Sequence, residues 1–114
     1  MANEITSSSM RQNSMLSYAN GEYIPTDAVC INVSNDMIGT FRGYRIFSAC
    51  RTLNGGKVFR LDDHVERLFR SAQELSMDLP HDRDGLKHLV ASVVETNNNH
   101  GDMLLEIMYS GGKA

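Results

Sequence analysis

Lys57-Val58-Phe59-Arg60-Leu61-Asp62-Asp63-His64-Val65-Glu66-Arg67-Leu68-Phe69-Arg70-Ser71-Ala72 decides the fold, because it leaves a hairpin and enters an amphipathic helix. Val65, Leu68, Phe69, Ala72 and Leu75 recur at helical spacing and mark a face that must be buried. His64 and Arg67 stand three residues apart and share a second face. Asp62 or Asp63 suits the helix start, and Glu66 follows Asp63 at the spacing of a capping box. The helix therefore holds an arginine near its positive end. Two readings fit: a grip for an anion such as a phosphate, and a solvated basic face.

Upstream, Asn54-Gly55-Gly56 supplies residues that accept positive φ, as a hairpin turn requires. Arg45 to Leu53 enters that turn as an alternating strand. Ile46, Ser48, Cys50 and Thr52 point one way; Phe47, Ala49, Arg51 and Leu53 point the other. Val58 to Leu61 is expected to return as its partner. Further back, Ser34 to Gly43 reads as a loop and Ala28 to Val33 as a short strand. Tyr18 to Pro25 reads as two extended pieces around the turn dipeptide Asn20-Gly21, and residues 1–17 as a flexible arm. Downstream, Pro80 ends the first helix at the latest. A second helix is predicted from Asp82 to Thr96, with Leu86, Leu89, Val90, Val93 and Val94 as its apolar stripe and Asp82 or Asp84 at its start. The polar break Asn97 to Gly101 precedes a strand from Met103 to Tyr109. Strands, two helices and a strand predict an α+β fold, a mostly antiparallel sheet packed with two helices.

At 114 residues the chain is one domain at most, with a single modest core. A net charge of −3 argues against a nucleic-acid or anionic-membrane partner. No apolar run approaches a membrane span, and the N-terminus lacks the order of a signal peptide. Cys30 and Cys50 lack zinc-like spacing and read as reduced packing residues, which points to a cytoplasmic protein and to no metal site.

The run Val58-Phe59-Arg60-Leu61-Asp62-Asp63-His64-x-x-Arg67-Leu68-x-x-Ser71-Ala72, followed by Leu75-x-x-x-Leu79-Pro80, resembles the N-terminal domain of the class IV (fold-type IV) pyridoxal-phosphate enzymes. These include branched-chain and D-amino acid aminotransferases and aminodeoxychorismate lyase. The resemblance covers residues 18–112. It implies pyridoxal 5'-phosphate as cofactor, with Arg67 on its phosphate, and a transaminase that uses a small-molecule amino donor and a 2-oxo acid. It also implies a homodimer. A guanidinium suits the phosphate because it offers a fork of donors and keeps its charge. His64 is expected to cap, pack or support the helix.

Gly43-Tyr44-Arg45-Ile46-Phe47-Ser48 stands where the family typically reads Gly-Asp-Gly-Val-Phe-Glu. Gly43 and Phe47 keep that pattern; Tyr44, Arg45 and Ser48 depart from it. Arg42 precedes it, where a substrate-facing Tyr is common. The resemblance implies a substrate subsite of Arg42, Arg45 and Phe47, with either arginine on a substrate carboxylate. A solvated strand-end charge is the alternative for each. Met103-Leu104-Leu105 and then Glu106 replace the Tyr-x-Arg of branched-chain members, which leaves a D-amino acid or another donor open.

Cofactor chemistry of this kind needs a covalent lysine and a carboxylate near the pyridine nitrogen. The resemblance places both in a C-terminal domain that these residues do not include. Lys57, Lys87 and Lys113 carry no motif and read as surface charge. No catalytic residue is therefore assigned, and the chain alone is expected not to transaminate and to self-associate through surface left bare. An aminodeoxychorismate lyase-type domain and a non-catalytic α+β binding module are the alternatives.

Overall fold

Burial alternates along the strand Arg45–Leu53, and that alternation sets the architecture. Ile46, Ser48, Cys50 and Thr52 are buried, while Phe47, Ala49 and Arg51 are exposed. The structure is a computed structural model and describes residues 15–53 and 56–111. The chain divides into two units, residues 1–30 and 31–114.

In the first unit, β1 (Leu16–Ala19) and β2 (Glu22–Pro25) form an antiparallel hairpin. Asn20 and Gly21 both take positive φ at its turn, as the dipeptide predicts. Tyr18 and Tyr23 are paired across it and meet edge to face. Of the arm expected over 1–17, residues 1–14 lie outside the described residues, and Leu16 and Ser17 already belong to β1.

The strand expected over Ala28–Val33 does not form. Thr26–Ala28 and Val33–Asn35 are single 3₁₀ turns, and Val29, Ile31 and Val33 are exposed. β-branched residues favour a strand only where a partner covers them. Here Asn32 instead turns the chain, accepting from the Asn35 amide and the Ser34 hydroxyl.

The second unit places a short helix, α1 (Met37–Arg42), where the sequence reads as a loop. Gly43, at φ +67°, stops it and donates its amide to the Ile38 carbonyl. Gly39 is not a turn residue: a Cβ there would overlap Ser110 Oγ and the Asp36 carboxylate. After α1 come β3 (Arg45–Leu53), β4 (Lys57–Val58), α2 (Leu61–Glu74), α3 (Arg83–Thr96) and β5 (Leu104–Ser110). The sheet order is β4-β3-β5, antiparallel throughout.

Val65, Leu68 and Ala72 of α2 meet Leu86, Val90 and Val94 of α3 in one core with Ile46 and Leu105 of the sheet. The two helices thus cover one sheet face, the α+β arrangement expected. On the other face Phe47 pairs with Met108, Ala49 with Glu106 and Arg51 with Leu104.

Two local expectations fail for identifiable reasons. Arg60 adopts φ +54° and breaks the return strand after Val58, so helix rather than strand begins at Leu61. Neither Asp62 nor Asp63 caps α2, although both sit in its first turn, where negative charge is favourable. Glu66 closes no capping box; it accepts two hydrogen bonds from Arg83 of α3, at 2.9 and 3.0 Å. Asp82 does cap α3, accepting from the Gly85 amide at 2.7 Å. The Asn54-Gly55 half of the turn lies outside the described residues.

Only one cysteine packs as expected. Cys50 is buried, and burial raises its thiol pKa against smaller lowering contributions from Ser48 and Arg67. Cys30 is exposed in an unpaired segment. With a disulfide-exchange reagent, one thiol per chain is expected to react at once and the second only on unfolding. Two equally fast thiols would contradict the placement of Cys50.

Candidate functional site

Ser48 places a hydroxyl on the inward face of β3, beneath α2. His64 and Arg67 reach it from successive turns of that helix. Ser48 Oγ lies 2.8 Å from His64 Nδ1, and Arg67 Nη2 donates to Ser48 Oγ at 3.1 Å. Arg67 Nη2 is also 3.4 Å from His64 Nδ1. Arg67 itself is exposed, so Ser48 and His64 hold one side of its guanidinium while the rest faces outward.

An open recess of about 410 Å³ lies along this flank of α2, lined by Arg60, Asp63, His64, Glu66, Arg67 and Arg70. Its carboxylates are engaged: Asp63 by Arg60 at 2.7 Å, and Glu66 by Arg83. The Arg83 bonds hold the Glu66 carboxyl below its ordinary pKa. Among the described residues no ion pair involves Arg67 or Arg70. The recess is thus cationic where Arg67 enters it, which suits a phosphate.

The other candidate residues stand apart from this cluster. Arg42 is the exposed last residue of α1. Phe47 is 67% exposed on the outward face of β3, opposite in sense to Ser48. Arg45 is committed elsewhere: Nη2 donates to Asp36 Oδ2 at 2.8 Å and Thr40 Oγ1 at 3.0 Å, and Nε donates to Ser110 Oγ at 3.0 Å. Lys87 pairs with Asp62 at 2.8 Å, and Lys57 is exposed in β4; Lys113 lies outside the described residues. Neither described lysine enters the Ser48–His64–Arg67 cluster.

Ser48 is the residue that motif reading passes over, noting it only as a departure. Its signal was present in the alternation. A hydroxyl on the same strand face as Ile46 and Cys50 is buried and needs a partner. Among the described residues, no group of three or more His, Cys, Asp or Glu side chains could hold a metal ion. No described helix is long and apolar enough to cross a membrane.

Residues 45–114 match the sequence pattern described as amino-transferase class IV. The branched-chain-amino-acid aminotransferase of Pseudomonas aeruginosa is 30% identical over 76 residues, covering 67% of this chain and 24% of that protein. The D-alanine aminotransferase of Listeria monocytogenes is 31% identical over 71 residues, covering 58% of this chain and 24% of that protein. The crystal structure of the branched-chain aminotransferase of the thermophilic archaeon Thermoproteus uzoniensis, with norvaline, superposes with a TM-score of 0.73 at 27% identity, over 85% of this chain and 33% of that one. The chain spans about a quarter of the length of the curated relatives it matches. The matched pattern begins at the first residue of β3 and takes in the hairpin, Ser48, His64 and Arg67, so the chain belongs to the amino-transferase class IV family.

Proposed function

We propose that this chain forms the part of a pyridoxal-phosphate-dependent transaminase that grips the cofactor phosphate, with Arg67 as the anchor. The observation that carries it is the Arg67 guanidinium, held by Ser48 and His64 and open to a cationic recess. Bound cofactor would supply the electron sink for moving an amino group from donor to 2-oxo acid. Within this chain the fit is to the phosphate end. The covalent lysine is assigned outside the described residues, since Lys87 is ion-paired and Lys57 lies on β4.

The substrate side of the proposal rests on Arg42 and Phe47. Arg42 has an exposed guanidinium for a carboxylate, and Phe47 presents its ring outward. Arg45 is the weaker candidate, because Nε and Nη2 already serve Asp36, Thr40 and Ser110. The outward sheet face with Phe47, Met108 and Leu104 supports a homodimer or a following domain as its cover. A cytoplasmic location belongs to the same proposal.

The test uses pyridoxine 5'-phosphate, whose lack of an aldehyde prevents reaction with surface lysines, beside unphosphorylated pyridoxine. Arg67→Ala is expected to weaken the phosphate ester roughly tenfold and to leave pyridoxine unchanged, in line with the loss of one charged hydrogen-bonding group. Equal binding of the phosphate ester by Arg67→Ala and the unaltered chain in equilibrium dialysis would refute the anchor.

A further inference from the structure

We propose that Ser48 and His64 are positioning residues that preset Arg67 for its anion, with His64 fixed in the tautomer that carries its proton on Nε2. This rests on Arg67 as the phosphate anchor and adds what holds that anchor.

The assignment follows from counting donors. Arginine can only donate, so the Arg67 Nη2–H occupies a lone pair of Ser48 Oγ at 3.1 Å. The same Nη2 stands 3.4 Å from His64 Nδ1. A proton on Nδ1 would oppose the Arg67 N–H, whereas a lone pair there accepts from it. Nδ1 therefore carries the lone pair, and the Ser48 hydroxyl donates to it across 2.8 Å. The proton of the neutral ring then belongs on Nε2. Ser48 is the hinge of this arrangement, because its one hydroxyl proton is directed at His64 and its lone pair at Arg67. Both contacts follow from how α2 lies over β3: β3 presents Ser48 inward, and the three-residue step on α2 brings His64 and Arg67 above it.

What this does for binding is entropic and electrostatic. A long exposed arginine otherwise loses rotamer freedom when it grips a ligand. Here one Nη2 is already tethered from behind. Neither Ser48 nor His64 brings a negative charge, so the guanidinium keeps its full attraction for a phosphate.

The experiment pairs an NMR readout with binding of inorganic phosphate to the full chain. Long-range ¹H–¹⁵N correlations are expected to show His64 with Nε2 protonated and Nδ1 bare. Ser48→Ala is expected to mix the tautomers and weaken phosphate roughly fivefold, the scale of one hydrogen bond. Ser48→Thr, which keeps the hydroxyl, and His64→Asn, whose Oδ1 can replace the Nδ1 acceptor, are expected to stay within about twofold of the unaltered chain. A ring protonated on Nδ1 overturns the proposal. So does Ser48→Ala with unaltered phosphate affinity, while loss of binding in Arg67→Ala would still uphold the anchor. Phosphate binding that is indifferent to Arg67→Ala refutes the anchor and, with it, the positioning role.

Discussion

Leu68→Ala is expected to destabilise the second unit by about 3 kcal/mol, within the range found when a buried leucine leaves a cavity. Leu68 is 1% exposed and sits between Val65 and Ala72 on the stripe that meets α3. Its neighbours across the interface, Leu86, Val90 and Val94, belong to a second helix tied to α2 by Arg83–Glu66 and Lys87–Asp62. Both ion pairs are open to solvent and contribute little by themselves, so the cost is carried by the cavity left among these apolar neighbours. Leu75→Ala is the control. Leu75 is on the same predicted stripe but is 42% exposed, just past the end of α2, and its loss is expected to cost under about 1 kcal/mol. Urea unfolding checks the pair: the Leu68→Ala midpoint falls with an unchanged slope, while that of Leu75→Ala barely moves. Equal shifts would mean that the α2–α3 contact is not the core. Small domains have only about 5–15 kcal/mol of stability, so the first loss is a large fraction of the whole.

The same stripe shows how far the sequence could be read. Periodicity found both long helices and β3 because fourteen and nine residues repeat a burial pattern several times. It could not find α1, where six residues include an internal glycine and barely complete a period. It misread Ala28–Val33 because β-branched residues report a preference, whereas a strand needs a partner. Glu66 looked like a capping residue because its nearest sequence relation is Asp63; its actual partner, Arg83, is seventeen residues away on another helix. The site divides in the same way. Arg67 and His64 are legible as helix neighbours, and Ser48 as an inward hydroxyl. Their meeting depends on how α2 lies over β3, a non-local fact.

Arg45→Ala is expected to destabilise the second unit by about 2–3 kcal/mol, somewhat below the 3–5 kcal/mol typical of breaking a fully buried ion pair. The reason is where its guanidinium goes. The Asp36 side chain is only 10% exposed and that of Arg45 29% exposed, so the pair is shielded but not dry. Ser110 Oγ lies 2.7 Å from both Asp36 oxygens, with its one proton directed to that carboxylate, and accepts from Arg45 Nε, which links the N-terminus of α1 to the end of β5 through β3. Removing the guanidinium leaves a shielded carboxylate without its cation. Asp36→Asn in the Arg45→Ala background is expected to cost less than the two single changes added together, because the stranded charge is gone; a coupling of about 1 kcal/mol or more is the scale for residues in contact. Arg42→Ala, at an exposed helix end, is expected to move the unfolding midpoint by no more than about 0.5 kcal/mol. The two arginines therefore separate cleanly. If Arg45 served a substrate carboxylate instead, its removal would leave the urea midpoint where it was and raise KM alone in the active enzyme.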